Sequence, residues 1–125
     1  MIKAKHDLYA AKKLGEDKGY IDVTIYHCQQ AAEKALKGLL TLFDSDFSKT
    51  HDIRLLVQLA AKIKSEMQAF EESADLLTPY ATEYRYPGEV MEPTNKEFSE
   101  ALLKAEEIIN FIITILPKEI QDELN

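Results

Sequence analysis

Three short stretches of the chain hold side chains whose types and spacing can do chemistry. In the first, Tyr26, Gln30, Glu33 or Lys34, and Lys37 fall at helical spacing and set a ring, an amide, a carboxylate and ammonium groups along one face. Such a stripe can hold a nucleotide base and its phosphate. The structural alternative is an i,i+4 pair of Glu33 with Lys37 on a solvated face, worth about 0.3 kcal/mol. The second stretch, Lys49-Thr50-His51-Asp52, puts His51 in the first turn of a helix, where backbone N–H groups and neighbouring cations suit an anion. Its alternative is a histidine that hydrogen-bonds the backbone of a neighbouring helix and locks the loop. The third, Tyr84-Arg85-Tyr86-Pro87-Gly88, offers a guanidinium that binds phosphate in bidentate fashion between two tyrosine rings. There the alternative is an arginine that ties the Pro87 loop to an acidic helix.

Other chemistries lack their residues. His6, His27 and His51 lie in different elements with no second histidine or carboxylate at ligand spacing, so no metal and no cofactor is expected. There is no glycine-rich phosphate loop, serine nucleophile elbow or dinucleotide fingerprint. Cys28, the single cysteine, allows no internal disulfide and fits a reducing, cytoplasmic setting.

The elements that must position these side chains are helices. The 125 residues, 46% hydrophobic and 30% charged, favour a single domain over 1–125 with enough apolar material for a core. Four glycines, four prolines and no sustained period-two alternation argue against a β-sandwich or barrel. A first helix runs from Ile2 to about Lys18, with Ala4, Leu8 and Ala11 on one face. From Tyr20 to Phe43, the positions Ile21, Ile25, Cys28, Ala32, Ala35, Leu39 and Phe43 form a seam for lengthwise packing on another helix. A third helix, capped by Thr50 or Ser48 with Asp52 in its first turn, buries Leu55, Leu56, Leu59, Ala60 and Ile63. A break near Lys64-Ser65 separates it from a fourth through Met67, Phe70, Ala74, Leu77, Ala81 and Tyr84. After the Tyr86–Pro93 loop or turn, the box Thr94 to Glu97 opens a long fifth helix that stops before Pro117. The expected architecture is an all-α, up-and-down bundle of four to five helices.

The net charge of −7 is uneven, with +3 over residues 1–65 and −10 over 66–125. A basic half beside an acidic half permits a local phosphate-binding surface or head-to-tail pairing of copies, and equally serves as a solvating acidic surface. Lys3, Lys5, His6 and Asp7 stand where a signal peptide needs an apolar run. The greasiest run, Ile108–Leu116, is nine residues, well below the roughly 20 that span a bilayer. A soluble protein with no membrane role is expected.

In order, Gln29-Gln30-Ala31-Ala32-Glu33-Lys34-Ala35-Leu36-Lys37, Thr50-His51-Asp52-Ile53 and Arg85-Tyr86-Pro87 resemble the HEPN family (higher eukaryotes and prokaryotes nucleotide-binding domain) over nearly the whole chain. The resemblance implies a four- or five-helix bundle, usually a homodimer, often paired in prokaryotes with a minimal nucleotidyltransferase as toxin and antitoxin. Ribonuclease members of that family carry an arginine followed, after four to six residues, by a histidine. Here both arginines, Arg54 and Arg85, follow the last histidine, and Val90, Met91 and Glu92 occupy the places where one is expected. The leading expectation is therefore a non-catalytic module that binds a nucleotide or RNA end, or a nucleotidyltransferase partner. Its ligand-binding residues are Gln30, Lys34, Lys37, Lys49, His51 and Arg85, supported by Tyr26, Glu33, Asp52, Tyr84 and Tyr86. Two alternatives stand beside it: a metal-independent ribonuclease pairing His51 with Arg85 or Arg54, and a helical dimer that serves only as a scaffold.

Overall fold

A computed structural model describes residues 2–15, 21–47, 49–81 and 94–124. The helices are α1 (Ile2–Gly15), α2 (Ile21–Leu42), α3 (Ile53–Ala61), α4 (Glu71–Leu77), α5 (Asn95–Ile115) and α6 (Lys118–Leu124), with 3₁₀ turns at Ser65–Phe70 and Thr78–Ala81. The fold is an all-α, up-and-down bundle with α2 at its centre, packed most extensively on α1, then on α5 and α3. The alanines and leucines of α2 explain that place. Ile25, Cys28, Ala31, Ala32, Ala35, Leu36, Leu39 and Leu40 are all fully buried, and the small side chains let neighbouring helices approach closely. From α5, Ala101, Ala105, Ile108, Ile109 and Ile112 complete the same core.

Four expectations from the sequence are corrected. Phe43, placed at the end of the α2 seam, is 46% exposed, because the helix ends at Leu42 and the seam ends with it. In α3 the buried face is Ile53, Leu56, Val57 and Ala60, and Leu55 turns outward, one helical step from Leu56. Asp52, not Thr50 or Ser48, is the N-cap of α3, its carboxylate accepting from the Leu55 N–H at 3.3 Å, so His51 precedes the helix instead of standing in its first turn. The chain also continues past Pro117 into α6. A proline ends α5 for want of an N–H, yet its preset φ suits the start of the next helix, and its carbonyl accepts from Ile120 and Gln121. The helices among the described residues thus number six, not five.

The capping box at Thr94 forms as its sequence predicts. Thr94 Oγ1 accepts from Glu97 N, and Glu97 Oε1 accepts from Thr94 N, both at 3.1 Å. Phe111, which lies off the main α5 seam, is partly buried and packs against Phe70 with ring centroids 5.3 Å apart. It helps to close the core of the monomer. Asp52→Ala is expected to cost about 1 kcal/mol and lower the melting temperature by about 4 °C, read by thermal circular dichroism.

Candidate functional site

Gln29 and Glu33 are one helical turn apart on α2 and both buried, Glu33 only 5% exposed. A carboxylate placed there must be paired and hydrogen-bonded to remain ionised. Gln29 Nε2 donates to Glu33 Oε1 at 2.9 Å, and Lys37 Nζ donates to Oε2 at 3.1 Å. From the loop before α3, His51 Nδ1 approaches Oε1 at 2.8 Å. Burial pushes the Glu33 carboxyl up, but the hydrogen bonds from Gln29, His51 and Lys37, with the Lys37 charge, outweigh it and hold the group below the usual carboxylate range. An ionised carboxylate only accepts, so His51 donates through Nδ1 and turns Nε2 away from Glu33. The His51 side chain is 59% exposed.

The loop that carries His51 is held from several directions. Gln29 Nε2 reaches the His51 carbonyl at 3.5 Å, and Gln30 Nε2 donates to Gln29 Oε1 at 2.7 Å. Thr50 Oγ1 accepts from the Asp52 N–H at 3.0 Å. The Ile53 N–H donates to Thr78 Oγ1 at 3.1 Å, whose hydroxyl donates in turn to the Ala74 carbonyl at 2.8 Å. Arg54 reaches across to Glu71 and Asp75 of α4. Its guanidinium is thereby committed to clamping α3 on α4, which weighs against pairing it with His51 for ribonuclease chemistry.

A second carboxylate organises the neighbouring stretch. Asp7 of α1 accepts from Lys34 Nζ at 2.6 Å through Oδ2 and lies 3.0 Å from His27 Nδ1 through Oδ1. Tyr26 packs beside that imidazole, with ring centroids 6.1 Å apart and planes tilted by 53°.

The structure therefore brings Gln30, Glu33, Lys37 and His51 into one network. Lys34, expected on the same face, is drawn instead to Asp7. Lys49 is exposed beside His51 in sequence and has no ion pair among the described residues. Tyr84, Arg85 and Tyr86 lie outside the described residues. The i,i+4 pair of Glu33 with Lys37 exists, but Glu33 is buried, not solvated, and His51 anchors to its carboxylate rather than to a helix backbone. Gln29, Asp7 and His27 hold neighbouring side chains in place and are not among the residues that the sequence assigns to the site. Gln29 carried a signal, an amide four residues before a carboxylate on one helix face. Asp7 carried none, because its partners lie 20 and 27 positions away.

Among the described residues, no group of three or more His, Cys, Asp or Glu side chains is placed to hold a metal ion. No described helix is long and apolar enough to cross a membrane. Burial, and after it the charge of Glu106, push the Cys28 thiol up to about 12, so it packs as an apolar side chain rather than acting as a nucleophile.

A family model described as the HEPN domain matches residues 1–120. Among solved structures, the chain is similar to the crystal structure of ST0689, an archaeal HEPN homologue, with 27% identity, a TM-score of 0.67 and 88% of each chain covered. No curated protein matches the chain.

Proposed function

The chain belongs to the HEPN domain family, and from that premise we propose that it is a non-catalytic module that binds a nucleotide or an RNA end. The residues that would hold the ligand are Gln30, Lys34, Lys37, Lys49, His51 and Arg85. The observation that carries this reading is the Glu33 network, which gathers an amide, an ammonium and an imidazole from two elements around one buried carboxylate. Glu33 serves to orient and is not itself a ligand group. Lys37 spends one of its three N–H donors on Glu33 and keeps two, and His51, whose side chain is more than half exposed, keeps Nε2 unspent by Glu33. Both suit phosphate oxygens, and Lys49 adds charge at the same loop. The proposal extends to homodimerisation and to partnership with a minimal nucleotidyltransferase, as in a toxin–antitoxin pair, on the strength of what is common in the family. The missing Arg-x4–6-His pair is the reason for reading the module as non-catalytic.

Calorimetric titration with ATP, GTP and short RNAs tests it. Binding is expected to weaken as salt rises, because phosphate is held chiefly by charge. His51→Ala is expected to weaken it about tenfold, the loss of one charge-assisted hydrogen bond, and Arg85→Ala by a similar or smaller factor. No heat at millimolar ligand, or equal binding by both variants, overturns the reading. A second reading is favoured by one observation: an imidazole oriented by an ionised carboxylate is also the arrangement of a general base. Cleavage of labelled RNA by the wild type that vanishes in His51→Ala would establish that reading instead.

A further inference from the structure

Two carboxylates, Asp7 of α1 and Glu33 of α2, are built alike. Glu33 gives one oxygen to an imidazole Nδ1 and the other to an ammonium, His51 and Lys37, and Asp7 does the same with His27 and Lys34. Each cluster leaves an imidazole Nε2 and two ammonium N–H donors unspent by its carboxylate. His27 and Glu33 are separated by about 9 Å of helix rise, and Gln30 lies between them. A nucleotide strand advances about 3.4 Å per residue when stacked, so that rise along α2 matches about three nucleotides.

We infer that the polar face of α2 is a two-point site for a single-stranded oligonucleotide, with the Asp7–His27–Lys34 cluster as a second phosphate subsite beside the Glu33–His51–Lys37 cluster. The inference rests on the proposed binding at His51 and extends it from a lone nucleotide to a chain. A ring beside one cluster and an amide between the two favour nucleic acid over a plain polyanion, because Tyr26 and His27 give faces on which a base stacks and Gln30 gives an amide that reads a base edge. Asp7 and Glu33 limit the positive field, so binding relies on fixed donors at two points rather than on diffuse charge, and the second point raises affinity by making its own encounter intramolecular.

The test compares uridine monophosphate by calorimetry with fluorescein-labelled oligouridylates of three and nine nucleotides by anisotropy, both at about pH 6. The wild type is expected to bind the nonamer at least about tenfold more tightly than the monophosphate. His27→Gln is expected to lose about fivefold on the nonamer, to flatten its log–log salt dependence by about 0.7, and to leave the monophosphate unchanged. His51→Ala weakens both ligands. Circular dichroism melting of His27→Gln confirms that it folds, and the salt slope is a readout that a merely structural loss would not move. Equal affinity for monophosphate and nonamer, or a His27→Gln protein that binds the nonamer as the wild type does, overturns the two-point site while leaving binding at His51 standing. Failure of every ligand to bind overturns both.

Discussion

Glu33→Ala is expected to destabilise the protein by about 3 kcal/mol, a fall of roughly 10 °C in melting temperature for a chain of this size. The residue is buried, and its removal strands the fully buried Gln29 amide and takes the carboxylate from Lys37, while the His51 loop loses its main side-chain contact with α2. Glu33→Gln keeps the shape and part of the hydrogen bonding, so it should lose less, and its pH dependence separates charge from packing. The folded-state pKa of Glu33 is depressed, so the folded state binds fewer protons than the unfolded chain near the ordinary value of 4.5. Its stabilising contribution is therefore complete above that value and is lost as pH falls through the lowered folded pKa. In urea titrations, the gap between wild type and Glu33→Gln should be widest near neutrality and narrow on acidification below about pH 4.5. A gap that does not change with pH would mean that the carboxylate is not held ionised by its partners.

Leu36→Ala is expected to cost as much by a different route. Leu36 is fully buried on α2, three positions from Glu33, and its truncation leaves a cavity among the alanines and leucines of the seam. The loss is about 3 kcal/mol, from transfer and cavity together. Chemical denaturation measures it. The pairing of the two variants is informative because they should lower stability alike, whereas only Glu33→Ala disturbs the position of His51 and so any ligand held there. Equal losses of ligand affinity in both would reduce the Glu33 network to ordinary packing.

How much of this was legible in the sequence depended on the distance between partners. The α2 seam could be read because steps of three and four repeat over Ile25, Cys28, Ala32, Ala35 and Leu39, and packing honoured every one of these. The Thr94–Glu97 capping box could be read because both of its hydrogen bonds are local. Leu55 was misplaced because adjacent leucines, Leu55 and Leu56, leave the helix phase to be settled by what α3 packs against. The sixth helix was hidden because a proline that ends one helix can also begin another. Within the site, Glu33 and Lys37 were visible as a pair, yet the burial of Glu33 was not. Burial is set by α3 folding its preceding loop over α2, and no spacing within α2 contains that information. The Asp7 cluster is the extreme case, since a carboxylate in the first helix and an ammonium and an imidazole in the second meet only when α1 lies along α2.

The most direct test of the central claim, that Glu33 fixes His51 so that its far nitrogen meets an anion, is a heteronuclear magnetic resonance titration of histidine side-chain nitrogens with short RNA. The account predicts that His51 Nδ1 carries a proton before and throughout the titration, while His51 Nε2 shifts in a saturable way that Glu33→Gln weakens. An unprotonated Nδ1 in the free protein, or His51 resonances unmoved by excess RNA, would contradict it.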